Sequence, residues 1–583
     1  MSKLHVIIPA AGLGTRMRPL SNGLSKTLIP LNGRPILAWI LDSISKLNAE
    51  IEDITVVTND SGDIKRFIDT TYKGTHLYNK IRCIVQDKTY NGPGGAILAG
   101  VNSVSKDGGY LIWLGDTVCT YTDFEFGNNI FVAASSVDIN TSKRWCIPVE
   151  KDGNVSFLNK PNRDEIQQSF FGSIEALIGI YYFPRYGKQF LLDRREYQNR
   201  TDEIQVSELI DNSEFSIDII SVGNTWYDCG ELDSFYESKA RLLNLSCREQ
   251  SGLEVDSVLG TVKKYAKTQA ATNKLKSELD WYQNRKGNQR LFIPKIIDND
   301  SCSYTMELAP GNTLSDMFVY ENVPVNVWKS ILAKVVDIYH KHFAFGEGRN
   351  RVAANLIDAD DVYSCLVDSF YINRTCMRLL KNNAFYQSLG VDCNIQTCVN
   401  FITSFADEIK QQYKNQYKKY ETCGNKEYYP RNIIRIDNKS ETFCANIHGD
   451  FHLGNILFDS LTGKFTFLDP RGGFMWSDYV DTYYDMAKLY HDIYCGYMLI
   501  IRGMYTVDNG TVKFSSYYQE VMDELVNYLD NYLETKYNYN PELIKKLATI
   551  QVLTCIPFHM DDETRCKIFL TRAINLINTS KYK

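Results

Sequence analysis

Short apolar runs that end in polar loops occur at the start of the chain and again in its C-terminal part. His5–Pro9 is a strand-length apolar run that leads directly into a loop with two glycines. Far along the chain, Ile456–Phe458 and Phe465–Leu468 are two similar runs with polar residues at their ends. Runs of this length bounded by turn residues are typical of buried strands. Because Thr313 to about Gln416 instead has the apolar spacing of helices, the pattern predicts an α/β protein.

The loop after the first predicted strand has a composition suited to phosphate. Glycines let backbone N–H groups approach phosphate oxygens closely, and a basic residue can bring positive charge to the same place. The spacing lacks the third glycine of a dinucleotide fingerprint and the G-K-[ST] of a P-loop. A lysine follows, ahead of a turn and a predicted helix. The candidate residues of this region are Ala11, Gly12, Gly14, Thr15, Arg16 and Lys26.

This opening resembles that of the sugar-1-phosphate nucleotidyltransferases, in which a G-x-G-T-R loop is followed by a lysine and L-x-P. The resemblance continues in order at Gln86, Gly92, Asp116, Lys160 and Asp228, and the chain departs from the family pattern at Ser25, Thr117 and Asn159. It implies a Rossmann-like domain with a mixed sheet flanked by helices.

The same resemblance implies a role for each matched residue. Gln86 and Gly92 would lie at the nucleoside, and a Gln amide, which both donates and accepts, suits a pyrimidine edge. Asp116 and Asp228 would bind Mg²⁺. Arg16 and Lys26 would contact the nucleotide phosphates, and Lys160 would contact the sugar phosphate.

A second set of polar residues has the order and spacing of a phosphoryl-transfer site. Such a site needs one carboxylate that orients a hydroxyl and accepts its proton, and an Asn and an Asp that hold Mg²⁺ on the nucleotide. Asp450, Asn455 and Asp469 fit those requirements. With His448 they resemble the H-G-D-x-x-x-x-N loop and the following Asp of the aminoglycoside phosphotransferase and choline kinase group. The resemblance implies a bilobal, protein-kinase-like α+β domain that uses ATP and Mg²⁺.

The segment before this loop resembles the small lobe of such kinases. Strand alternation places Lys264 on the same face as Val262, which favours Lys264 over Lys263 as the ATP lysine. Glu278, on a helix predicted over Lys274–Asn284, would pair with it. Two further candidates are Glu307, in a segment that resembles the adenine-binding hinge, and Arg471, which would contact substrate or phosphate or cap a turn.

The two motif sets predict two domains in the 583 residues: a nucleotidyltransferase domain at 1–246 and a kinase domain at 252–583, with a small lobe at about 252–311 and a large lobe at about 312–583. The net charge of −6 argues against a general nucleic-acid or acidic-membrane binder. No apolar run reaches the roughly 18 residues of a membrane-spanning helix. The 15 cysteines include no C-x-x-C, which favours reduced thiols in the cytoplasm.

The expected function is therefore bifunctional: a kinase acting on a small hydroxyl compound, and a nucleotidyltransferase that joins the product to a nucleotide. The favoured substrate is a sugar phosphorylated at its anomeric hydroxyl for capsule or other surface-glycan synthesis. One alternative is a choline or alditol kinase with a cytidylyltransferase, and another is a non-catalytic regulatory or scaffold role for one domain. The expected small molecules are ATP, a second NTP, Mg²⁺ and a sugar or polyol. The sequence leaves the oligomeric state open, a homo-oligomer included.

Overall fold

The computed structural model describes residues 3–581 apart from 13, 22, 60, 87–91, 152–153, 163–164, 167–172, 186–187, 189–190, 192–202, 211–215, 244–249, 345–370, 391–394, 407, 409–446 and 472–481. The chain divides into two compact units, Met1–Ser246 and Cys247–Lys583. The sequence also predicts an apolar strand from Phe443 to Ile447, ahead of Asp450, and most of that segment falls outside the described residues. None of the described helices is both long and apolar enough to cross a bilayer.

The first unit is built on a seven-stranded mixed sheet in the order β12-β8-β11-β6-β1-β4-β5. Strands β6, β1, β4 and β5 are parallel neighbours, and β11 joins this group through antiparallel pairing with β6. The strands of the unit are β1 Leu4–Pro9, β2 Pro30–Leu31, β3 Arg34–Pro35, β4 Ile51–Thr58, β5 Ile81–Val85, β6 Gly109–Trp113, β7 Thr117–Cys119, β8 Ile130–Asp138, β9 Cys146–Lys151, β10 Asn154–Asn159, β11 Ser173–Phe183, β12 Ile217–Ser221 and β13 Trp226–Asp228.

Helices cover the parallel part of this sheet, as its apolar strands require. Strands of a parallel sheet are buried on both faces and therefore read as nearly continuous apolar runs. Ile7 of β1 and Ile112 of β6 are completely buried in one core cluster with Val101 of the third helix. The helices of the unit are α1 Ile36–Ser45, α2 Asp63–Thr71, α3 Gly92–Ser103, α4 Val206–Ile210 and α5 Leu232–Leu243.

The second unit begins with a four-stranded antiparallel sheet in the order β14-β15-β17-β16. A three-stranded sheet, β18-β19-β20, follows later in the chain. The strands are β14 Ser251–Asp256, β15 Thr261–Ala266, β16 Ile296–Asn299, β17 Ser303–Glu307, β18 Asn312–Thr313, β19 Ile456–Asp459, β20 Lys464–Phe467, β21 Thr506–Asp508 and β22 Thr511–Lys513.

The remainder of the described second unit is mainly helical. Its first helix starts at Gln269, earlier than the predicted Lys274, because the Thr268 side chain accepts a hydrogen bond from the Ala271 amide and caps the helix there. The helices are α6 Gln269–Gln283, α7 Leu314–Tyr320, α8 Val325–Ile338, α9 Arg374–Lys381, α10 Asn383–Ser388, α11 Tyr483–Ile493, α12 Tyr497–Ile501, α13 Ser516–Tyr537, α14 Pro541–Cys555 and α15 Glu563–Lys581.

Candidate functional site

The glycine loop of the first unit lies at the carboxyl end of β1, where the Ala10 amide donates to the Val57 carbonyl at the end of β4. Gly14 has a φ of +63°, and a Cβ added to it would lie 3.0 Å from the Lys26 Cβ. Both constraints select glycine at this position. The packing therefore keeps the loop backbone close to Lys26.

Two aspartates are brought together beside this loop by a short pair of strands. Asp116 directly precedes β7, and Asp228 ends β13, which pairs with β7 so that Asp228 is opposite Thr117. The Cys229 amide donates to the Asp116 carbonyl at 2.9 Å, which fixes the two turns against each other. Lys26 Nζ lies 2.6 Å from Asp116 Oδ2. Three residues from distant parts of the sequence thus form one charged cluster.

The two aspartates have opposite electrostatic environments. Burial raises the pKa of the Asp116 carboxyl, but the charge of Lys26 and its hydrogen bond outweigh burial, so that this pKa lies below its ordinary value. For Asp228, burial raises the pKa and the nearby negative charge of Asp116 raises it further. The cluster therefore holds more negative charge than Lys26 neutralises, which favours an added cation.

Two arginines contact the acids next to this cluster. Arg144 Nη2 lies 3.7 Å from Asp228 Oδ2 and 3.6 Å from Glu231 Oε2. Arg16, largely exposed, has Nη1 3.0 Å from Glu231 Oε1. Both guanidinium groups thus lie beside Glu231, next to the charged cluster. An incoming anion would compete with Glu231 for them.

The remaining predicted residues of the first unit lie in three separate places. Gln86 follows β5 and its side-chain amide donates to the Gly92 carbonyl at 3.2 Å. Gly92 has a φ of +74°, and a Cβ there would lie 2.7 Å from the Glu203 Cβ, so glycine is required. Ala11 and Gly12 lie in the loop and Thr15 begins its short 3-10 turn. Lys160 is exposed after β10, where its amide donates to the Trp145 carbonyl.

In the second unit, one lysine links a strand, a helix and a distant loop. Lys264 Nζ lies 2.6 Å from Glu278 Oε1 and 2.9 Å from Asp469 Oδ1. Tyr304, opposite Lys264 on β17, donates its hydroxyl to the same Glu278 oxygen at 2.6 Å. Lys264 is buried and Lys263 is exposed, as alternation along β15 requires. Burial would lower the pKa of Lys264, but the charges of Asp469 and Glu278 raise it above its ordinary value.

Asp450 has a different cation as its partner. Lys488 of α11 is buried, and its Nζ lies 3.1 Å from Asp450 Oδ1. Burial would raise the pKa of the Asp450 carboxyl, but Lys488 and His452 outweigh burial and bring this pKa well below its ordinary value. Asp450 is therefore ionised at neutral pH and can accept a hydrogen bond from a hydroxyl group. The Asn455 side-chain amide donates to the Asp450 carbonyl at 2.9 Å, which fixes the loop between them.

The loop around His448 is held from behind by a buried carboxylate. Asp485 accepts hydrogen bonds from the amides of His448 at 2.7 Å and Gly449 at 2.8 Å. Burial lowers the pKa of His448 to about 4, so the imidazole is neutral at physiological pH. The Arg471 amide donates to the His448 carbonyl at 2.9 Å, which joins the loop to the segment after Asp469.

Glu307 ends β17, but its backbone N–H group already makes a hydrogen bond within the protein. The Glu307 amide donates to the Lys295 carbonyl at 2.9 Å, and the next amide, that of Leu308, donates to the Gly260 carbonyl at 2.8 Å. Neither N–H group is available to adenine. If this segment binds a base, the contacts must come from carbonyl groups or from residues after Leu308.

Each site offers two side-chain ligands suited to Mg²⁺, a cation that prefers carboxylate and amide oxygens. Asp116 and Asp228 interact electrostatically in the first site. In the second site, Asn455 directs its nitrogen to a backbone carbonyl, which leaves its oxygen for a ligand, and Asp469 lies close enough to Asp450 for the two charges to interact. Among the described residues, no group of three or more His, Cys, Asp and Glu is arranged to hold a metal. Mg²⁺ bound through one or two protein ligands usually completes its shell with water and substrate phosphates.

Four residues of these clusters were not predicted from the sequence as site residues: Arg144, Glu231, Asp485 and Lys488. Lys488 and Asp485 lie three residues apart on a helix that also carries His491 and Asp492 among apolar and aromatic residues, and charged residues among so many apolar ones are a recognisable signal. Arg144 and Glu231 had no comparable signal, because isolated charges near turns are common on protein surfaces.

Comparison with known proteins separates the two units. The profile of the family described as "Nucleotidyl transferase" matches residues 5–244. The first unit is a nucleotidyl transferase domain. The match ends before the second unit begins.

Individual relatives match the same part of the chain. The "Bifunctional protein GlmU" of Methanococcus vannielii is 33% identical over 180 residues, which are 30% of this chain and 40% of that protein. The chain thus spans less than half the length of this relative. "Glucose-1-phosphate thymidylyltransferase" of Neisseria meningitidis serogroup A is 25% identical over 269 residues, 42% of this chain and 87% of that protein. A crystal structure of apo-UDP-glucose pyrophosphorylase aligns over 42% of this chain and 99% of its own, with 19% identity and a TM-score of 0.34.

Proposed function

We propose that the protein is a two-site enzyme in which the second unit phosphorylates a small hydroxyl compound with ATP and the first unit joins a sugar phosphate to a nucleotide. The proposed domains are residues 1–246 and 252–583. The observation that carries the kinase half is the contact of Lys264 with both Glu278 and Asp469. In protein kinases, a strand lysine paired with a helix glutamate and an Asp that holds Mg²⁺ are the parts required for phosphoryl transfer.

In the first site, a sugar phosphate oxygen would attack the α-phosphorus of an NTP, and the bond from that phosphorus to the bridging oxygen would break to release pyrophosphate. Both reactants are anions, so the site must offset their repulsion and the charge on the leaving group. Lys26 would contact the transferred phosphoryl group, and Arg16 would contact the departing phosphates once they displace Glu231. Lys160 would contact the sugar phosphate. The "Nucleotidyl transferase" family match and the names of the relatives support this half of the proposal.

In the second site, the acceptor hydroxyl would attack the γ-phosphorus of ATP and ADP would leave with the β–γ bridging oxygen. Asp450 would orient the hydroxyl and take its proton, a role that its ionised state and its position beside the loop to Asn455 support. Lys264 would contact the ATP phosphates. Glu278 positions Lys264 and is itself held by Tyr304.

Mg²⁺ is the metal that the donor set of each site fits. Asp116 and Asp228 would hold it in the first site, and Asn455 and Asp469 would hold it in the second. Bound there, it would neutralise phosphate charge and align the reacting phosphorus with its nucleophile.

The two halves form a sequence of reactions if one compound passes through both. A sugar phosphorylated at its anomeric oxygen is such a compound, because the kinase product is then a sugar 1-phosphate. The first unit would convert this product into a nucleotide sugar of the kind consumed in surface-glycan assembly.

The test assays the two half-reactions separately in the full chain. With Mg²⁺, each of UTP, dTTP, CTP and GTP is incubated with a panel of sugar 1-phosphates, and pyrophosphate release is measured. In parallel, ATP is incubated with free sugars, alditols and choline, and the phosphorylated product is identified by mass. Nucleotidyl transfer together with ATP-dependent phosphorylation is the expected result. Failure of the second assay, with no protection of the chain by Mg²⁺ and ATP against thermal unfolding, would refute the kinase half alone.

A further inference from the structure

The loop that carries Asp450 also places a histidine beside it. His452 lies two residues after Asp450 and immediately before the short 3-10 turn Leu453–Asn455. Its ring nitrogen Nδ1 accepts a hydrogen bond from the Gly454 amide at 3.1 Å. An imidazole nitrogen that accepts a hydrogen bond carries no proton, so the proton of the neutral ring is on the other nitrogen, Nε2. His452 therefore presents an N–H group at the far end of its ring.

Two neighbours hold this ring and its backbone in place. The Tyr497 ring of α12 lies edge-on to the imidazole, with ring centroids 6.4 Å apart. Asp492 of α11 accepts the Leu453 amide at 2.6 Å, which fixes the backbone next to His452. Asp492 Oδ2 lies 3.9 Å from His452 Nδ1, which is too far for a hydrogen bond. Nδ1 is therefore engaged with the loop itself, and Nε2 has no hydrogen-bond partner in the described part of the chain.

The Nε2 end of the ring lies beside one oxygen of Asp450. His452 Nε2 is 3.9 Å from Asp450 Oδ2, whereas Lys488 Nζ is 3.1 Å from the other oxygen, Oδ1. Only the second distance is within reach of a hydrogen bond. Lys488 therefore occupies Oδ1, and Oδ2 is the oxygen that is open to a hydroxyl group. The Asp450 and His452 side chains are 31% and 22% exposed, so a small molecule can reach the space between them.

This space suits one hydroxyl oxygen. An oxygen atom at the usual hydrogen-bond distance of about 2.8 Å from each side would bridge Nε2 and Oδ2. A hydroxyl group satisfies both neighbours, because its hydrogen is donated to Asp450 Oδ2 while its oxygen accepts from His452 Nε2–H. A phosphate oxygen could accept from His452, but it has no proton for Asp450 and would bring a second negative charge beside the ionised carboxylate.

We infer that His452 is a catalytic residue of the second unit that contacts the attacking oxygen of the acceptor, so that His452 Nε2 and Asp450 Oδ2 hold one hydroxyl between them. This inference rests on the proposed kinase function of that unit and adds a second contact to its acceptor hydroxyl. Two contacts fix the direction of the attacking oxygen, whereas Asp450 alone leaves it free to turn about a single hydrogen bond.

The transfer step follows from these contacts. The acceptor oxygen forms a bond to the γ-phosphorus, and the bond from that phosphorus to the β–γ bridging oxygen breaks to release ADP. The hydroxyl proton passes to Asp450 Oδ2. His452 keeps its own proton throughout and donates the same hydrogen bond to the oxygen, which is the ester oxygen of the product.

Two substitutions separate the functions of the two ring nitrogens. The side-chain oxygen of His452→Asn reaches the position of Nδ1 and can still accept from the Gly454 amide, but no atom reaches the position of Nε2. The amide nitrogen of His452→Gln reaches the position of Nε2 and can still donate. The assay uses the full chain with Mg²⁺, ATP and a free hexose that the unmodified chain phosphorylates. His452→Asn should lower kcat/KM for the hexose by about tenfold to a hundredfold, and His452→Gln should recover most of that loss.

The same kinetics can contradict the inference in two ways. Full activity of His452→Asn would show that His452 only accepts the Gly454 amide and shapes the loop. A raised KM for ATP with an unchanged KM for the hexose would show that His452 contacts the nucleotide instead. Nucleotidyl transfer by the first unit and the melting temperature should be unchanged in both variants, which excludes misfolding.

Binding measurements give a readout that a structural role would not move. In the presence of a non-hydrolysable ATP analogue, the affinities of the hexose and of its deoxy analogue, which lacks the hydroxyl that is phosphorylated, are measured by titration. His452→Asn should weaken binding of the hexose and leave binding of the deoxy analogue unchanged, because the interaction needs both partners. An equal loss for the two sugars would refute the contact. If the unmodified chain bound no ATP analogue and phosphorylated no acceptor, the proposed kinase function itself would fail.

Discussion

The two candidate sites neutralise their aspartates in different ways. In the first, Lys26 pairs closely with Asp116, whereas the nearest described cation to Asp228 is Arg144 at 3.7 Å, which is shared with Glu231. In the second, Asp469 and Asp450 contact different lysines. Asp469 contacts Lys264, which it shares with Glu278, and Asp450 contacts Lys488. The pKa of Asp228 is raised and that of Asp450 is lowered.

The difference in charge compensation indicates which kind of partner each carboxylate suits. A carboxylate left with uncompensated negative charge is suited to a metal ion, and its affinity for protons rises for the same reason. A carboxylate with a built-in lysine is held ionised without a metal. We therefore propose Asp228 as a metal ligand and Asp450 as the contact of the acceptor hydroxyl. Asp116 and Asp469, the other two proposed metal ligands, also pair with lysines, so each would share its charge between a lysine and the metal.

The largest expected effect is at Asp450. Asp450→Asn removes the proton acceptor, and ATP-dependent phosphorylation should fall by about 10²- to 10⁴-fold, as expected for loss of a general base. Nucleotidyl transfer from a supplied sugar phosphate should be unchanged. Asp523→Asn, an exposed substitution on α13, is the control. Phosphorylation at a near-normal rate in Asp450→Asn would show that Lys488 and Asp450 form only a structural pair.

The next largest effect is expected in the first site, at Asp228. Asp228→Asn should lower nucleotidyl transfer by about 10²- to 10³-fold, because a group that stabilises charge in the transition state is lost. The apparent Mg²⁺ requirement of the remaining activity should shift to higher concentrations. The control is Asp233→Asn, an exposed carboxylate five residues later. An unchanged Mg²⁺ dependence would mean that Asp228 does not bind the metal.

A smaller effect is expected from the group that positions Lys264. Glu278→Gln keeps the shape of the side chain but removes its charge, so the KM for ATP should rise by about tenfold to a hundredfold. Asp280→Asn, exposed on the same helix, should have no effect. If ATP kinetics were the same in Glu278→Gln, the lysine would not depend on its glutamate.

Much of this arrangement could be predicted from the sequence. Apolar runs marked β1, β19 and β20 to within a few residues, and alternation along β15 chose between Lys263 and Lys264. The resemblance to two families selected Asp116, Asp228, Asp450 and Asp469. The structure places all of these in two clusters, while their chemical roles remain predictions.

The rest depended on tertiary packing. Lys488 reaches Asp450 from 38 positions further along the chain, and Arg378 reaches the end of α14 from a helix whose sequence pattern indicates only an amphipathic surface. No feature of the sequence near Lys488 or Arg378 indicates these partners. The backbone N–H group of Glu307 likewise donates to the Lys295 carbonyl on a neighbouring segment, and a sequence motif cannot show that hydrogen bond.

The smallest expected effect is on stability and involves Asp485, the buried carboxylate behind the second site. Burial raises the pKa of Asp485 from 3.8 to about 7. Between these values the folded chain holds a proton that the unfolded chain releases, so this group's contribution to the free energy of unfolding is present at low pH and falls as pH rises from about 4 to about 7. Asp485→Asn cannot titrate. Denaturant unfolding measured across this range should show the difference between the two proteins falling with pH, whereas a constant difference would contradict the raised pKa.

We propose that one chain holds two independent sites that act in turn on the same compound. The most direct test mixes equal amounts of Asp450→Asn and Asp228→Asn chains with Mg²⁺, ATP, a second NTP and the unphosphorylated acceptor, and follows the nucleotide-linked product by mass. The mixture should make this product, because each chain supplies the step that the other lacks, and a chain with both substitutions should make none. If each variant keeps its own half-reaction but the mixture yields no product, the two sites do not share a compound and the proposed sequence of reactions is wrong.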